Sequence, residues 1–270
     1  MGKILPLLFM LIYTFAAQVV YASSKNTVYI YKDDGVSEES LGQTIFMLKD
    51  SSAGKYLVKT ITAEEVQQDA WIEYAVLFVI PGGADLPYVR KLNGLGNQKI
   101  KQYVEEGGSF LGICAGAYYA SSYVQFDKDG PLEVLGDREL SFFQGKAIGP
   151  ILAPYDYKTH SSCRAAKIST IFSSVPQTVV YYNGGGFFEN VESFSNTKVI
   201  ATYENELPSI IAMTCGKGKV VLSGVHFEYN PLLLDSNDAY IQKILMPLIQ
   251  FDASRRVLIE QLLQMLAVSE

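Results

Sequence analysis

The amino-acid sequence predicts an α/β domain in which helices cover both faces of a mostly parallel sheet. Four short segments rich in β-branched and aromatic residues have the character of buried strands: Thr27–Lys32, Tyr56–Ile61, Tyr74–Ile80 and Ser109–Ile113. Segments with helical spacing separate them, and such alternation favours a parallel sheet. The composition, 49% apolar and 19% charged residues, is that of a chain with a sizeable core, and it excludes disorder and fibrous repeats.

The expected helices have recognisable beginnings or ends. Ser37 is a candidate N-cap followed by two acidic residues, and apolar residues then recur at helical spacing as far as Leu48. The run Thr62–Glu65 fits a capping box. Further helices are predicted over residues 97–106, which Gly107 and Gly108 close, and over residues 115–123.

The second half of the chain has a different pattern. Residues 132–203 are rich in aromatic residues, Gly and Pro, and their short apolar runs predict an inserted β-hairpin region that decorates the sheet. Residues 210–225 predict one further hairpin. The amphipathic stretch Asp238–Ala267 predicts one or two C-terminal helices. Since no linker interrupts the pattern, we expect residues 23–270 to form a single domain.

The first 22 residues are predicted to be a secretory signal peptide. Lys3 supplies one positive charge, residues 4–21 are almost continuously apolar, and Val20 and Ala22 are small residues at the positions that signal peptidase reads. We therefore expect a periplasmic or secreted mature chain. An uncleaved anchor, which would bring the chain to a membrane, and a buried helix remain alternatives, because the apolar stretch is about long enough to span a bilayer.

Composition also limits the expected partners and cofactors. The net charge is −6 and no basic stripe is present, so we expect no nucleic-acid partner. Two histidines, three cysteines and the lack of a C-x-x-C pair argue against a metal site. The glycine-rich runs match neither a phosphate loop nor a dinucleotide fingerprint, so no cofactor is expected. The oligomeric state is left open.

The sharpest motif is Gly112-Ile-Cys-Ala-Gly116. It follows an apolar strand and opens a predicted helix, which is the context of a nucleophile elbow with Cys114 at its tip. Free amides and the helix dipole at that position favour a thiolate, and the Ala115 amide would point at an oxyanion. The alternative is a small buried cysteine at a glycine-rich strand end.

A cysteine nucleophile needs a base and a group that orients the base. His226 follows a predicted buried strand, and Glu228 lies two residues later, so both side chains can project to one side of an extended segment. The alternative is a surface histidine beside a surface glutamate. The second histidine, His160, lies in a polar stretch and is interpreted as a solvated loop residue.

The residues around these groups suggest how a substrate would be held. Gly82 and Gly83 end a predicted strand, where a backbone amide can approach a reacting centre and complete an oxyanion hole with Ala115. A simple turn is the alternative. Asp85, Tyr118 and Asn183 are the candidate substrate-binding residues, and the run from Asn183 to Gly186 is either a substrate loop or a tight turn.

The other two thiols form a candidate disulfide. If Cys114 stays free as the nucleophile, Cys163 and Cys215 remain as an even pair in an oxidising compartment. Each lies at an end of a predicted strand, so the two could be neighbours. The alternative is two independent buried thiols, because cysteine behaves as a small hydrophobe.

Together, the strand-ending Pro-Gly-Gly, the cysteine elbow and the late His-x-Glu resemble the class I glutamine amidotransferase superfamily. A closer similarity, to the domain at the N-terminus of eukaryotic biotin–protein ligases, covers nearly all of the mature chain. The motifs that carry it are Ser37-Glu-Glu-Ser40, Pro81-Gly-Gly-Ala-Asp-Leu-Pro87, Leu92-Asn-Gly-Leu-Gly-Asn97, Gly112-Ile-Cys-Ala-Gly-Ala-Tyr-Tyr-Ala120, Phe142-Phe-Gln-Gly145 and Tyr182-Asn-Gly-Gly-Gly186. The resemblance implies a flavodoxin-like fold of the amidotransferase type and a triad of Cys114, His226 and Glu228.

The chain also departs from these relatives. Tyr118 stands where typical glutamine amidotransferases have Gln, and Ala115 stands where the protease-like branch has His. No Gly/Arg-rich run of the kind that activates biotin is present. We therefore expect a secreted or periplasmic hydrolase that acts on a small-molecule or peptide amide, without biotin ligase activity. The alternative function is a non-catalytic small-ligand-binding module that keeps the fold.

Overall fold

The computed structural model describes residues 25–266 and residue 268. The predicted signal segment lies outside these residues. The described strands are β1 (Thr27–Tyr31), β2 (Leu57–Ile61), β3 (Ala75–Ile80), β4 (Ser109–Ile113), β5 (Ser121–Phe126), β6 (Val134–Asp137), β7 (Phe143–Gly149), β8 (Arg164–Thr170), β9 (Gln177–Tyr182), β10 (Phe187–Phe188), β11 (Thr197–Tyr203), β12 (Pro208–Cys215) and β13 (Gly218–Ser223). The described α-helices are α1 (Glu38–Ser51), α2 (Ala63–Val66), α3 (Asp85–Leu92), α4 (Leu95–Glu105), α5 (Ala115–Tyr119), α6 (Ala239–Gln250) and α7 (Asp252–Met265). Among these residues, no helix has the length and apolar character needed to cross a bilayer.

One half of the main sheet is parallel. The nine-stranded sheet has the order β2-β1-β3-β4-β13-β12-β11-β8-β9, and the first five of these strands run parallel to one another. Counting only the parallel strands along the chain, this order is 2-1-3-4-5, the flavodoxin-like arrangement. The predicted α/β class with a flavodoxin-like sheet is confirmed.

The other half of the main sheet is antiparallel. Strands β12, β11, β8 and β9 continue it beyond β13 as consecutive antiparallel neighbours. The inserted region therefore does more than decorate the sheet, because β8, β9 and β11 extend it. The rest of the insertion joins β5, which precedes it, in a separate four-stranded sheet with the order β10-β7-β5-β6.

One local prediction was wrong, and one helix was not predicted. The helix expected over residues 115–123 ends at Tyr119, and residues 121–126 form β5 instead. Tyr123, Val124 and Phe126 are aromatic or β-branched residues that prefer strands. Pairing with β7 stabilises the strand more than a continuation of the helix would. The helix α3 was not predicted, because Pro87 interrupts its apolar pattern; Pro87 lies in the first turn, where proline is tolerated.

Capping explains where two other helices begin. The Ser37 side chain accepts a hydrogen bond from the Ser40 amide at the start of α1, and Glu38 and Glu39 follow in its first turn. Thr62 and Glu65 form the predicted capping box of α2.

Apolar side chains are buried on both faces of the sheet. On β3, Phe78 and Ile80 contribute to the core on one face, while Leu77 and Val79 contribute to the core on the other, and all four are completely buried. Each such side chain contributes about 1.5–3 kcal/mol. This two-sided core fixes the carboxyl ends of β3, β4 and β13 side by side, where open parallel sheets place their ligand sites.

Candidate functional site

The predicted nucleophile lies at the carboxyl end of β4 in a strained backbone conformation. Cys114 has φ +51° and ψ −108° and directly precedes α5. A non-glycine residue with this φ costs about 1–3 kcal/mol and persists where the surrounding structure enforces it. Because α5 has only five residues, its dipole is short, and the individual amides at its first turn matter more than the helix as a whole.

Close backbone contacts explain the two glycines that flank the elbow. A Cβ atom on Gly116 would lie 2.0 Å from the Ile80 carbonyl oxygen. A Cβ atom on Gly112 would lie 2.7 Å from the Gly116 carbonyl oxygen. The turn therefore brings β3, β4 and α5 so close together that only glycine fits at both positions.

The structure brings the other two predicted catalytic side chains to Cys114. His226 Nδ1 lies 2.7 Å from Glu228 Oε1, and His226 and Cys114 line the same cavity. Glu228 is completely buried and His226 is 4% exposed. Since Glu228 occupies Nδ1, the remaining ring nitrogen, Nε2, is the one available to the thiol.

Electrostatics favours the imidazolium form of His226. Burial by itself lowers the pKa of His226, but the Glu228 carboxylate and Cys114 outweigh it and hold the pKa well above the usual range. The ring also lies edge-on to Tyr181 and Tyr229, and its backbone amide donates to the Tyr181 carbonyl oxygen at 2.8 Å. These contacts fix the ring orientation.

Ser40 is a site residue that the sequence did not reveal as such. Its hydroxyl donates to Glu228 Oε1 at 3.2 Å and accepts from the Gly82 amide at 2.9 Å. This differs from the prediction for Gly82, because its amide is engaged by Ser40 and is not free for an oxyanion. Gly82 instead makes room for the base, since a Cβ atom there would lie 2.8 Å from His226 Cε1.

Gly83 and Ala115, the other two predicted oxyanion donors, line the same cavity as Cys114. The bridge between Val36 and Gly83 uses the amides of Ser37 and Ala84, so the Gly83 amide takes no part in it. Gly83 has φ +150°, and a Cβ atom there would collide with the Gly35 carbonyl oxygen. Ala115 is the first residue of α5, whose amide has no acceptor within the helix.

A cavity of about 80 Å³ adjoins Cys114. The three predicted substrate-binding residues all line it. Asp85 Oδ2 accepts a hydrogen bond from Arg138 Nε at 2.7 Å. Tyr118 donates to the Gly184 carbonyl oxygen at 3.3 Å, and the Asn183 carbonyl oxygen lies 3.7 Å from the Cys114 sulfur.

Strand β5 and the insertion that follows it close one side of this cavity. Val124 and Phe126 of β5 and Val134 of β6 line it, as do Tyr155 and Tyr157 from the segment after β7. The sequence did not identify these residues as part of the site, because contacts between segments so distant along the chain leave no local pattern. The second sheet thus supplies apolar surface to a site whose chemistry lies on the first sheet.

His160 is more constrained than the sequence suggested. Its Nδ1 lies 2.9 Å from Asp238, its Nε2 lies 3.5 Å from Glu39, and its side chain is 32% exposed. Burial lowers the pKa of His160, but the two carboxylates raise it above the usual value. His160 lies in a loop and is partly solvated, as predicted, and it also connects Glu39 of α1 to Asp238 at the start of α6.

The candidate disulfide between Cys163 and Cys215 is not formed. All three cysteines are free thiols. Strands β8 and β12 are both antiparallel to β11, so they run in the same direction. Cys163 precedes the start of β8 and Cys215 ends β12. Because the two strands run in the same direction, the two thiols lie at opposite ends of the strands. Burial raises the pKa of each of these two thiols to about 11.

Among residues 25–266 and residue 268, no group of three His, Cys, Asp or Glu side chains could hold a metal ion. The chemistry that this arrangement supports is that of a buried histidine–carboxylate pair beside a thiol, with backbone amides nearby.

Comparison with known proteins identifies the family. The family model described as biotin-protein ligase, N terminal, matches residues 26–270. A biotin–protein ligase from Schizosaccharomyces pombe is 35% identical over 236 residues, which are 81% of this chain and 37% of that protein. An uncharacterized protein from Chlamydia muridarum is 38% identical over 220 residues, which are 76% of this chain and 81% of that protein.

A solved structure shares the fold alone. A ThuA-like protein from Bacteroides uniformis is 9% identical, with a TM-score of 0.52 over 88% of this chain and 91% of that chain. The family match over nearly the whole chain is far more specific. This chain therefore belongs to the biotin-protein ligase N-terminal family, and its match spans little more than a third of the S. pombe ligase.

Proposed function

We propose that this chain is a cysteine hydrolase that acts on an amide or related acyl group in the periplasm or outside the cell. The observation that carries the proposal is the completely buried Glu228, which lies 2.7 Å from His226 Nδ1 and leaves the other ring nitrogen to Cys114. A buried carboxylate that orients an imidazole against a thiol is the arrangement of a nucleophile with its general base.

The proposed reaction has two steps. The Cys114 sulfur, whose proton is already held by His226, attacks the acyl carbon, and the resulting oxyanion accepts hydrogen bonds from the amides of Gly83 and Ala115. Collapse breaks the carbon–nitrogen bond, and His226 gives its proton to the departing amine. A water molecule, deprotonated by His226, then releases the acid and restores the thiol. Glu228 holds the imidazole and stabilises its charged form throughout.

We propose no biotin ligase activity for this chain. The S. pombe relative is a biotin–protein ligase, but the match covers 37% of its length. The chain contains no Gly/Arg-rich run of the kind expected for biotin activation. The arrangement of Cys114 and its buried base suits acyl transfer, and it does not suit the joining of biotin to a protein.

A turnover screen with matched variants tests the proposal. Wild type, Cys114→Ala and Cys215→Ala are compared on a panel of peptides, primary amides and esters, with release of amine or alcohol as the readout. Cys215 is the control because it lies at the end of β12, where the strand pairs with the start of β13, away from the site at the end of β13. We expect Cys114→Ala to lose activity by roughly 10³-fold or more, and Cys215→Ala to keep it.

Two outcomes would contradict the hydrolase. Turnover that survives Cys114→Ala would show that another group does the chemistry. The absence of wild-type turnover, combined with a ligand that raises the melting temperature, would favour the non-catalytic small-ligand-binding module.

A further inference from the structure

The cavity beside Cys114 has acidic residues and no cationic Lys or Arg among its described lining residues. Glu39 and Asp85 both line it, and the imidazolium of His226, which also lines it, is already paired with the Glu228 carboxylate. Glu39 shares His160 with Asp238, so two carboxylates face one imidazole and the group remains net negative even when His160 is protonated. A substrate carboxylate or phosphate would therefore find no Lys or Arg to bind there, and it would be repelled by both acids.

Asp85 lies on the wall of this cavity and forms an ion pair with Arg138. It is 9% exposed, and only its Oδ2 is engaged by Arg138. The guanidinium is almost completely buried, also donates to the carbonyl oxygens of Gly136 and Asp137, and is not among the lining residues. The cation thus lies behind the carboxylate, and the side that faces the cavity is negative.

A row of aromatic rings lines the same cavity. Tyr118 contacts Phe126 edge-on, Phe126 contacts Tyr155, and Tyr155 contacts Tyr157, with ring centroids 5.7, 5.8 and 4.7 Å apart. Burial, followed by the charges of Asp85 and Cys114, raises the pKa of the Tyr157 phenol. Tyr157 is thus near both the carboxylate and the nucleophile. Aromatic rings beside carboxylates are a favourable environment for an ammonium or guanidinium group.

We propose that the group which enters this cavity with the scissile acyl carbon carries a protonated amine or guanidinium, held by Asp85, Glu39 and the aromatic rings of Tyr155 and Tyr157. This inference rests on the proposed function, since it names the substrate class for the same site. It selects cationic amides and disfavours substrates that present a carboxylate at this position.

Charged thiol reagents test the inference without requiring a substrate. Cys114 is treated with three methanethiosulfonates that differ in charge: the neutral methyl, the cationic trimethylammonioethyl and the anionic sulfonatoethyl reagent. The modification rate of the Cys114 peptide is measured by mass spectrometry, and each rate is divided by that of free 2-mercaptoethanol. We expect a cationic-to-anionic ratio of at least about tenfold, which corresponds to ~1.4 kcal/mol, and a smaller ratio at high salt.

Neighbouring glutamates on α1 provide a matched pair of variants. Glu39 lines the cavity, whereas the Glu38 side chain is 79% exposed and faces Lys32. We expect Glu39→Gln to reduce the cationic preference about threefold, since the side chain is partly solvated, and Glu38→Gln to leave it unchanged. Asp85→Asn should reduce the cationic preference further. Tyr157→Leu should also reduce it, without a change in charge, and this variant replaces Asp85→Asn if the latter does not fold.

The outcomes separate this inference from the proposed function. Equal normalised rates, a faster anionic reagent, or a preference that survives Glu39→Gln, Asp85→Asn and Tyr157→Leu would overturn it even in an active hydrolase. A thiol that none of the reagents reaches would also overturn it, because a closed cavity cannot take an ammonium group. A clear cationic preference in a protein without hydrolase activity would support the ligand class and contradict only the proposed function.

Discussion

At the scale of single residues, Ser40 connects three parts of the proposed site through one hydroxyl. It donates to Glu228, accepts from the Gly82 amide and is 1% exposed. Because Gly82 precedes the oxyanion candidate Gly83, the hydroxyl links the carboxylate that orients His226 to the backbone that would receive the oxyanion. We infer that Ser40 is a positioning residue, since its hydroxyl is engaged by Glu228 and by the Gly82 amide.

The first prediction concerns Ser40→Ala. The variant loses a hydrogen bond to a buried carboxylate, which is worth about 1.5–3 kcal/mol. We expect the rate constant kcat to fall about tenfold to a hundredfold, with KM nearly unchanged. Steady-state kinetics of amide turnover, together with urea unfolding, provides the measurement.

Ser109→Ala is the matched control for this change. Ser109 is also a buried serine, and its hydroxyl donates to the Leu266 carbonyl oxygen at 2.6 Å. It lies at the start of β4, whereas the site lies at the strand's end. An equal loss of kcat in both variants would reduce the role of Ser40 to general stability.

The second prediction concerns Glu228→Gln and the titration of His226. The variant removes the charge that raises the pKa of His226 but keeps the burial that lowers it. We therefore expect the midpoint of the His226 titration to move to lower pH. In wild type the pKa of His226 lies well above its usual range, and deprotonation of the ring should form the alkaline limb of the activity profile.

Nuclear magnetic resonance can measure this shift directly. The sequence has two histidines, so His160→Asn assigns the two imidazole signals. Glu38→Gln, on the solvated side of α1, provides a control of equal charge change. An unchanged His226 midpoint in Glu228→Gln would contradict the electrostatic account of the pair.

At the scale of secondary-structure elements, the elbow depends on how closely α5 approaches β3. Gly116 has no room for a Cβ atom, whereas a Cβ atom on Gly42, inside α1, would have nothing within 4 Å. Substitution by alanine is therefore expected to have opposite effects on stability at the two glycines. The difference between the two effects measures the cost of the close approach between α5 and β3.

The third prediction compares Gly116→Ala with Gly42→Ala. The first forces backbone apart in a packed site and should destabilise by about 3 kcal/mol or prevent folding. The second should stabilise by about 0.5–1 kcal/mol, because alanine loses less backbone entropy in a helix. The measurement is the urea unfolding midpoint of each variant relative to wild type. Similar midpoints for both variants would contradict the proposed packing of the elbow.

Sequence patterns predicted the parallel strands well and their surroundings less well. Segments such as Tyr74–Ile80 and Ser109–Ile113 are continuously apolar, since both faces of each strand are buried. β5 was missed because Ala115–Tyr119 is helical and no Gly or Pro separates this helix from the strand that begins at Ser121. The pairing of β5 with β7 that decides its conformation is a tertiary contact.

The site shows the same division between local and tertiary information. Cys114 and the pair His226 and Glu228 stand in short motifs with a recognisable local context, so the sequence could identify them. Ser40 is 188 residues from the carboxylate it binds, and Asp85 is 53 residues from Arg138. Such contacts exist only after the sheet has assembled, and the same is true of Tyr155 and Tyr157 in the cavity wall.

At the scale of the whole molecule, a parallel half-sheet carries the proposed chemistry and an antiparallel half extends it. The separate sheet adds Val124, Phe126 and Val134 to the cavity. The chain thus combines a nucleophile elbow with a wall supplied by its insertion. This division suggests that the insertion determines which substrates reach the thiol.

The fourth prediction concerns the location of the whole protein. The apolar segment over residues 4–21 favours export, with a mature chain that begins near Ser23. N-terminal sequencing of the protein from its native host, after cell fractionation, makes the measurement. An intact Met1 on a soluble cytoplasmic protein would contradict export, and an intact Met1 in the membrane fraction would favour the uncleaved anchor.

The most direct test of the central claim is the reactivity of Cys114. Wild type and His226→Gln are treated with iodoacetamide at about pH 6, where an ordinary thiol reacts slowly, and labelling of each cysteine peptide is followed by mass spectrometry. Cys163 and Cys215, whose pKa values are raised to about 11, serve as internal references. The account predicts that Cys114 is labelled at least about tenfold faster than either reference, and that His226→Gln removes this advantage. If Cys114 reacts no faster than Cys163 and Cys215, or reacts equally fast without His226, the proposed nucleophile and base are contradicted.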